Sequence, residues 1–319
     1  MTSKVALSAL VGFTLIATPT HVFSDEGGVS YWLPGQMGSL AAVPGESGWS
    51  LPLIYVHSDA GASADRNFAR GGRLVAGIDG RADLVLFIPT YTFVQPLWGG
   101  QASAGVGIGG GRMKAGVNAT IASANGAVLS GSESDTLDGV ADLYPTASVK
   151  WNHGVHNTMV YAAAGVPVGS YARGRLANIG VNHWSLDAGG GYTYFDTKTG
   201  LEFSAVAGLT YNFENRDTDY RNGVDGHIDW AASYFFSPRS HAGLVGYFYH
   251  QLTGDSGSGA QLGDFKSRVN AIGPQIGWFL ENGGRKYYVN VKGYQEWGAR
   301  NRAEGWSAWL SLVIPLSGN

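Results

Sequence analysis

Apolar and polar side chains alternate in short stretches along most of this chain. In 200–213, Leu201, Phe203 and Leu209 fall on one face, while Glu202 falls on the other. Alternation with a period of two and one apolar face is the pattern of a β-strand. Twelve strands are predicted in this way, near 48–59, 82–93, 101–117, 138–151, 156–166, 185–196, 200–213, 226–236, 241–252, 267–280, 285–297 and 304–316.

The connections between the predicted strands are short and long in turn. The short ones are Gln95–Gly100, Asn152–Val155, Asp196–Gly200, Ser237–Ser240 and Glu281–Gly284. The long ones cover 60–81, 118–137, 167–184, 214–225, 253–266 and 298–303. Outer-membrane barrels have short periplasmic turns and longer extracellular loops, and only a closed sheet or a helix satisfies its backbone in lipid. We therefore predict an all-β fold, a transmembrane antiparallel up-and-down β-barrel of about 12 strands with periplasmic N- and C-termini.

The N-terminus carries a separate signal. Lys4 is the only charged residue before Asp25, residues 5–18 form an apolar run, and 22–24 end in a small residue. This pattern fits a cleaved secretory signal peptide, because an uncleaved anchor helix would need a longer run of ~20 residues. The predicted organisation is a signal peptide at 1–24, an N-terminal periplasmic or lumen-inserted segment at 25–47 and the barrel at 48–319.

The composition agrees with a barrel wall. Charged residues make up 14% of the chain, aromatic residues 12%, and 49 of 319 residues are Gly, whereas soluble domains carry ~25% charged residues. In a barrel few charges face lipid, aromatic side chains lie at both interfaces and Gly relieves crowding in curved strands. A soluble β-sandwich could share this composition, but it would not combine spanning strands with long loops on one side only.

Charge and cysteine content narrow the partners. After residue 24 the net charge is 20 − 24 = −4, and the chain has no Cys, so we expect no nucleic-acid binding and no disulfide. The eight His residues show no metal-ligand spacing, and we expect no cofactor. The expected location is the bacterial outer membrane, where a monomer contacts lipid and lipopolysaccharide.

The charged faces of the strands are expected to point into the lumen, because Arg or Lys on the lipid face costs ~2–4 kcal/mol at the midplane. The predicted lumen charges are Asp142, Lys150, Asp187, Glu202, Asp229, Lys292 and Glu296. The predicted solute contacts are the rings of Tyr144, Phe195, Phe235, Tyr288 and Tyr294, with Tyr31 and Trp32 of the N-terminal segment. We expect the charges to pair with one another. The alternative is that these residues merely fill and staple a narrow barrel.

Two hypotheses concern the passage through the barrel. Residues 26–48 are apolar for a periplasmic tail, so they either fold into the lumen and narrow it or remain a tail at the periplasmic surface. Prolines in or beside strands remove ladder donors and are normally confined to edges or bulges. They either mark local bulges or contribute to a gap for sideways exit into the bilayer. The candidate gap comprises Pro89, Gly109, Gly110, Gly111 and Pro145 on three consecutive strands.

Three short motifs resemble catalytic or cation-binding ones but lack the required context. Gly105, Gly107 and Gly110 match G-x-G-x-x-G inside a predicted strand, with no helix to follow. Residues 254–257 read Gly-Asp-Ser-Gly in a long loop, and the acidic loop 217–225 has Arg where calcium needs an oxygen. We predict no enzyme. A surface lipid hydrolase with a Ser–His pair stays an alternative.

Several segments together resemble a known family. They are 28–35, Leu51-Pro52, Asp142–Pro145, Tyr161–Gly169, Leu186–Tyr192 and Thr199–Ser204. The chain resembles the outer-membrane channel family of the MetA-pathway of phenol degradation, the phenol meta-pathway degradation-like proteins. The resemblance implies a barrel of roughly twelve strands that helps small hydrophobic, often aromatic molecules enter proteobacteria that degrade them. The family has no established catalytic residues that could be assigned to this chain.

The functional expectation is passive uptake of small hydrophobic or aromatic solutes, with weak contacts at many sites in the lumen. Two alternatives besides the hydrolase stay open. One is a general narrow porin for polar or ionic solutes, in which Lys150, Lys292 and Arg112 would set selectivity. The other is a structural or adhesion barrel whose long loops carry the function.

Overall fold

The computed structural model describes residues 31–70, 73–122, 128–260 and 265–316. The predicted signal peptide at 1–24 and the first part of the segment 25–47 lie outside these residues. The strands are β1 (Gly48–Arg70), β2 (Arg73–Phe87), β3 (Thr90–Thr92), β4 (Gln101–Ala122), β5 (Val128–Val140), β6 (Tyr144–His153), β7 (His156–Gly165), β8 (Ser185–Asp196), β9 (Leu201–Asn212), β10 (Asp225–Ser237), β11 (Ser240–Gln251), β12 (Arg268–Asn282), β13 (Arg285–Arg300) and β14 (Glu304–Pro315).

These strands form one closed antiparallel barrel. From β6 to β14 each strand pairs with the next one in the chain, and β14 closes the ring on β1 with Ser50 opposite Pro315. The short β3 continues β2, since both pair with β1 and β4, and β6 continues β5 along the same edge of β4. The wall thus has twelve strand positions, which confirms the predicted antiparallel barrel of about 12 strands.

The prediction was wrong about two long loops. Residues 60–81 and 118–137 are largely strand, because β1 pairs with β2 as far as Arg70 opposite Arg73, and β4 pairs with β5 as far as Ala122 opposite Val128. Beyond the lipid neither face of a strand must be apolar. The apolar alternation used for the prediction therefore stops while the backbone pairing continues.

Burial alternates along the strands and separates an inner from an outer face. On β9, Glu202 and Ser204 are buried, whereas Leu201, Phe203 and Leu209 are exposed, and β10 repeats the pattern. The outer face is therefore an apolar band that suits lipid. No helix in the described part of the chain could cross a membrane.

The two ends of the barrel differ. Turns of a few residues join β6 to β7, β8 to β9, β10 to β11 and β12 to β13, and β1 begins and β14 ends on this side, here called the turn end. The loop end carries 167–184, 214–224 and the described residues 252–260 and 265–267. These loops are joined to one another: Arg221 bridges Ser256, and Asn182 donates to Asn215 Oδ1 at 2.9 Å.

Candidate functional site

Residues 31–47 form a non-helical segment that crosses the barrel interior and is held by its backbone. Asp229 of β10 accepts the N–H groups of Gly35 and Met37, each at 3.0 Å. Glu202 of β9 accepts the N–H of Leu40 at 3.0 Å. Carboxylates that accept backbone N–H groups make strong, charge-assisted hydrogen bonds, so these two strands anchor the segment.

A buried lysine holds the carbonyl groups of the same turn. Lys292 Nζ of β13 donates to the oxygens of Gly35, Gln36 and Met37 at 2.5, 3.2 and 3.2 Å. Tyr294 OH also donates to Gly35 O, at 3.0 Å. Gly35 has a φ of +86°, and a Cβ there would lie 2.9 Å from the Tyr294 ring, so the turn requires glycine at this position.

The rest of the segment, as far as the turn end of the barrel, is also hydrogen-bonded to the strands. Ser39 Oγ lies 2.8 Å from Glu202 Oε2 and 2.9 Å from Ser233 Oγ. Ala42, which is fully buried, donates its N–H to Thr193 Oγ1 at 3.0 Å, and Lys150 Nζ donates to Val43 O at 3.3 Å. Along the whole segment, most hydrogen bonds to the wall join backbone atoms of the segment to side chains of the strands.

The expectation that the seven lumen charges pair with one another was wrong. Four of them bind the N-terminal segment: Lys150, Glu202, Asp229 and Lys292. The other three bind elsewhere: Asp187 with His227, Glu296 with Tyr247 and Arg302, and Asp142 with a loop. Buried carboxylates and ammonium groups need hydrogen-bonding partners. Here many of those partners are backbone groups, which a side-chain pattern cannot reveal.

The predicted ring residues lie on the inner face in separate groups. Tyr31 packs on Tyr144 with ring centroids 5.4 Å apart, and Trp32 stacks on His227 and contacts Tyr161. Near the turn end, Phe195 packs on Phe235, and Tyr288 lies against His241 and Phe279. Tyr294 contacts Tyr247 and Trp309. Their contact with a solute stays a prediction.

At the first predicted gap position the strand is irregular but the wall stays hydrogen-bonded, since Ile88 N donates to Pro52 O at 2.9 Å and Val106 N donates to Pro89 O at 3.2 Å. Ile88 and Pro89 separate β2 from β3, while β4 runs unbroken beside them. Gly109 and Gly111 of β4 approach this strand closely, since a Cβ at either would overlap a carbonyl oxygen, that of Val85 or that of Asp83. The glycines therefore allow close backbone packing here.

A break between two strands lies on the other side of β4. Residues 141–143 separate β5 from β6, which pairs with β4 from Tyr144 onward, so that Pro145 lies opposite Val106. Above this point the described part of β5 pairs only with β4, and loop 167–184 lies along its other edge, where Ser170 N donates to Val140 O at 2.9 Å. The wall is thus completed by a loop instead of a strand.

Asp142 fastens that loop. Its side chain is 1% exposed, and it accepts the N–H of Gly169 at 2.7 Å and that of Val181 at 2.9 Å. Gly169 and Gly180 touch back to back, since a Cβ on either would lie 2.8 Å from the other's backbone. One carboxylate therefore binds both ends of the loop segment that covers the edge of β5.

The remaining motifs have structural surroundings. Gly105, Gly107 and Gly110 lie within β4, as expected for a strand. Asp255 of the Gly-Asp-Ser-Gly loop accepts the N–H of Gly223 at 3.2 Å. Two Ser–His contacts, Ser185 with His183 at 3.4 Å and Ser233 with His241 at 3.3 Å, are buried inside. Neither faces lipid, as a surface lipid hydrolase would require.

Sequence reasoning missed several residues that hold this arrangement. His227 and Tyr161 enclose Trp32, and Thr193 and Ser39 fix the segment. His227 could have been found, because it lies on the polar face of β10 two residues before Asp229. No local pattern indicates which of the many polar inner residues meets a segment more than 150 residues away.

The fold and the interior define a membrane-spanning barrel of the bacterial outer-membrane type with an inserted N-terminal segment. A family described as "Putative MetA-pathway of phenol degradation" matches residues 64–312. The chain belongs to this family, which confirms the resemblance found in its sequence. Comparison with curated proteins gave no match.

One solved structure shows the same fold. The COG4313 outer membrane channel from Pseudomonas putida F1 has a TM-score of 0.67 and 15% identity, over 85% of this chain and 96% of that one. A Pseudomonas aeruginosa FadL homologue has a TM-score of 0.43 and 9% identity, over 84% and 90% of the two chains. The first likeness supports the twelve-stranded barrel, and the second is too distant to carry an argument.

Proposed function

We propose that this protein is an outer-membrane channel for passive uptake of small hydrophobic solutes, aromatic ones in particular. The turn end faces the periplasm, and solute enters from the loop end. The protein acts as a monomer in contact with outer-membrane lipid and lipopolysaccharide, without a cofactor and without catalysis.

The observation that carries the proposal is the position of the rings beside the broken wall. Tyr31 packs on Tyr144 directly below the interruption at 141–143, and a Cβ at Gly165 would lie 2.7 Å from the Tyr31 ring. Rings offer a solute apolar contact without a demanding hydrogen bond. An apolar molecule that reaches this place is adjacent to both the lumen and the bilayer.

This arrangement favours a sideways exit. The segment 31–47 lies across the axial route, whereas the free edge of β5 above Tyr144 is covered by loop 167–184, which the carboxylate of Asp142 fastens. A hydrophobic solute gains free energy by leaving into lipid, at about 25 cal/mol for each Å² of apolar surface removed from water. We propose that loop 167–184 moves to open this gap, which includes Pro89, Gly109, Gly110, Gly111 and Pro145 at its borders.

A general porin for ions or sugars is less well supported. Lys150 and Lys292 are bound to carbonyl oxygens of the segment, and Arg112 pairs with Asp138 at 2.6 Å on an exposed face. Cations bound in this way do not line an open aqueous path. A structural barrel would give no solute flux, so one experiment separates all three functions.

The test is solute entry into liposomes that carry the purified protein, with empty liposomes as the control. A small aromatic ester is compared with a sugar of similar size. We expect faster entry of the ester alone. Equal acceleration of both would indicate a general pore, and no acceleration would indicate a closed barrel.

The sideways exit is tested separately by a disulfide between loop 167–184 and β5. A Cβ at Gly139 would lie 2.6 Å from Ser170 Cβ, so cysteines introduced at positions 139 and 170 are within reach of each other, and the chain has no other Cys. Oxidation should stop entry of the ester and reduction should restore it. Unchanged entry through the oxidised protein would contradict the sideways exit.

A further inference from the structure

The indole of Trp32 is enclosed as a bound ring would be. It lies parallel to the imidazole of His227, with centroids 3.7 Å apart and planes 16° apart, and 5.7 Å from the ring of Tyr161. Trp32 and His227 are each 2% exposed. The ring reaches this place on a segment held by hydrogen bonds, so it can leave without disturbing a strand.

One polar atom of His227 and one of its partner Asp187 are buried and make no hydrogen bond within the described residues. His227 Nε2 lies 2.9 Å from Asp187 Oδ2, and both side chains are fully buried. Their other polar atoms, His227 Nδ1 and Asp187 Oδ1, have no partner there. When neutral His227 gives its Nε2 proton to the hydrogen bond with Asp187, both of these atoms are acceptors. Buried acceptors without a donor are costly, so the site favours a ligand that brings one.

We infer that His227, Tyr161 and Asp187 form a binding site for a planar aromatic solute with an O–H or N–H donor on its ring, such as a phenol. Trp32 occupies this site when no solute is present. The carboxylate of Asp187 disfavours aromatic acids, and an ether or plain hydrocarbon supplies no donor. The inference rests on the proposed function, since it names the solute class of the same lumen.

Binding at this site must loosen the N-terminal segment. Trp32 lies three residues before Gly35, where Asp229 and Lys292 hold the turn. A solute ring stacked on His227 excludes the indole. The apparent affinity of the solute is therefore its intrinsic affinity multiplied by the fraction of protein in which Trp32 is withdrawn. Bound solute in turn raises that fraction.

The first test measures the segment in protein that retains Trp32. Gln36→Cys introduces the only thiol, because the chain has no Cys. Its rate of maleimide labelling is measured in detergent with 2-naphthol or with 2-methoxynaphthalene, which has the same rings but no donor. We expect 2-naphthol to raise the rate roughly fivefold and the ether to leave it unchanged. Adding His227→Ala should remove the response.

The second test measures affinity directly by equilibrium dialysis. Trp32→Ala should bind 2-naphthol about tenfold more tightly than the wild type, because the internal competitor is gone. It should retain the preference over the ether, and Asp187→Asn should weaken that preference. Trp184→Ala, at an exposed ring, is the matched control. Heat-modifiable gel migration checks folding, and Trp32→Leu, which keeps apolar bulk but removes the ring, replaces Trp32→Ala if the latter does not fold.

Three outcomes would overturn the inference. They are equal responses to the two probes, no response of the thiol introduced by Gln36→Cys to 2-naphthol, and an affinity of Trp32→Ala equal to that of Trp184→Ala. None of these measurements requires transport. A channel that conducts aromatic esters but fails here keeps its proposed function, and a barrel that binds 2-naphthol but conducts nothing keeps this site.

Discussion

Asp229→Asn tests whether the segment is held by the carboxylate beneath it. The wild-type carboxylate accepts two backbone N–H groups, from Gly35 and Met37, each at 3.0 Å. Asparagine keeps one acceptor oxygen and turns an NH₂ group toward the second N–H, so one hydrogen bond is lost. A hydrogen bond to a charged group contributes ~1.5–3 kcal/mol, and we take about 2 kcal/mol, which is a factor of roughly 30 in the docked-to-undocked ratio.

The assay is single-channel recording in planar bilayers, with the fraction of time in the conducting state as the readout. We expect this fraction to rise roughly thirtyfold while it remains small. The matched control is Asp196→Asn. Asp196 accepts the N–H of Lys198 and the hydroxyl of Thr199 in an exposed turn outside the lumen, both at 2.9 Å, and its substitution should leave the fraction unchanged.

An unchanged fraction in folded Asp229→Asn would refute this reasoning. It would mean that the three carbonyl contacts of Lys292 hold the turn without the carboxylate. Deleting residues 26–44 removes the turn itself and should enlarge the conductance. A deletion that leaves conductance unchanged would contradict the view that the segment blocks the axial route.

Three further predictions concern the wall and its loop. Asp142→Asn removes one of the two N–H contacts on loop 167–184, so limited proteolysis should cut this loop roughly tenfold faster while the barrel stays folded; an unchanged rate would contradict its role as a fastener. Gly111→Ala should reduce the folded yield sharply, because its Cβ would overlap the carbonyl oxygen of Asp83, whereas Gly116→Ala, whose Cβ would meet its nearest neighbour at 3.9 Å, should fold normally on heat-modifiable gels. Burial lowers the pKa of His183 below its ordinary 6.5, so its contribution to loop stability is present above that pH and is lost as the pH falls; proteolysis of the loop should quicken in acid, and His183→Gln should remove that dependence.

The strands within the lipid were predictable from the sequence because the bilayer imposes a simple rule on them. Leu201 and Phe203 face outward and Glu202 faces inward, as the alternation indicates. The rule ends where the lipid ends. The β1–β2 and β4–β5 hairpins continue beyond it as paired strands, where the sequence suggested loops.

The interior was predictable in kind but not in its pairing. The sequence indicated that Asp229 and Lys292 face inward, and both do. It could not show that each binds backbone atoms of residues 35–37, because an N–H or a carbonyl leaves no trace in a side-chain pattern. The break at 141–143 was hidden for a related reason. The alternation resumes after the break, and the break is revealed only by the pairing of β5, which has a strand partner on one edge, β4, and a loop on the other.

A disulfide between the segment and the wall decides between axial and sideways passage. Ser39 Oγ and Ser233 Oγ lie 2.9 Å apart, so paired cysteines can form the ~2.05 Å bond in a chain with no other Cys. If solute leaves sideways past loop 167–184, the oxidised protein should take up an aromatic ester at close to the wild-type rate. If solute must pass the segment, oxidation should abolish uptake and reduction should restore it. The reduced double variant is the control, since it lacks the same two hydroxyl groups but leaves the segment free. Because Ser39 lies seven residues beyond Trp32, the lock holds the lower part of the segment and still permits the indole to withdraw. Uptake that survives oxidation would therefore separate the movement of Trp32 from the release of the whole segment.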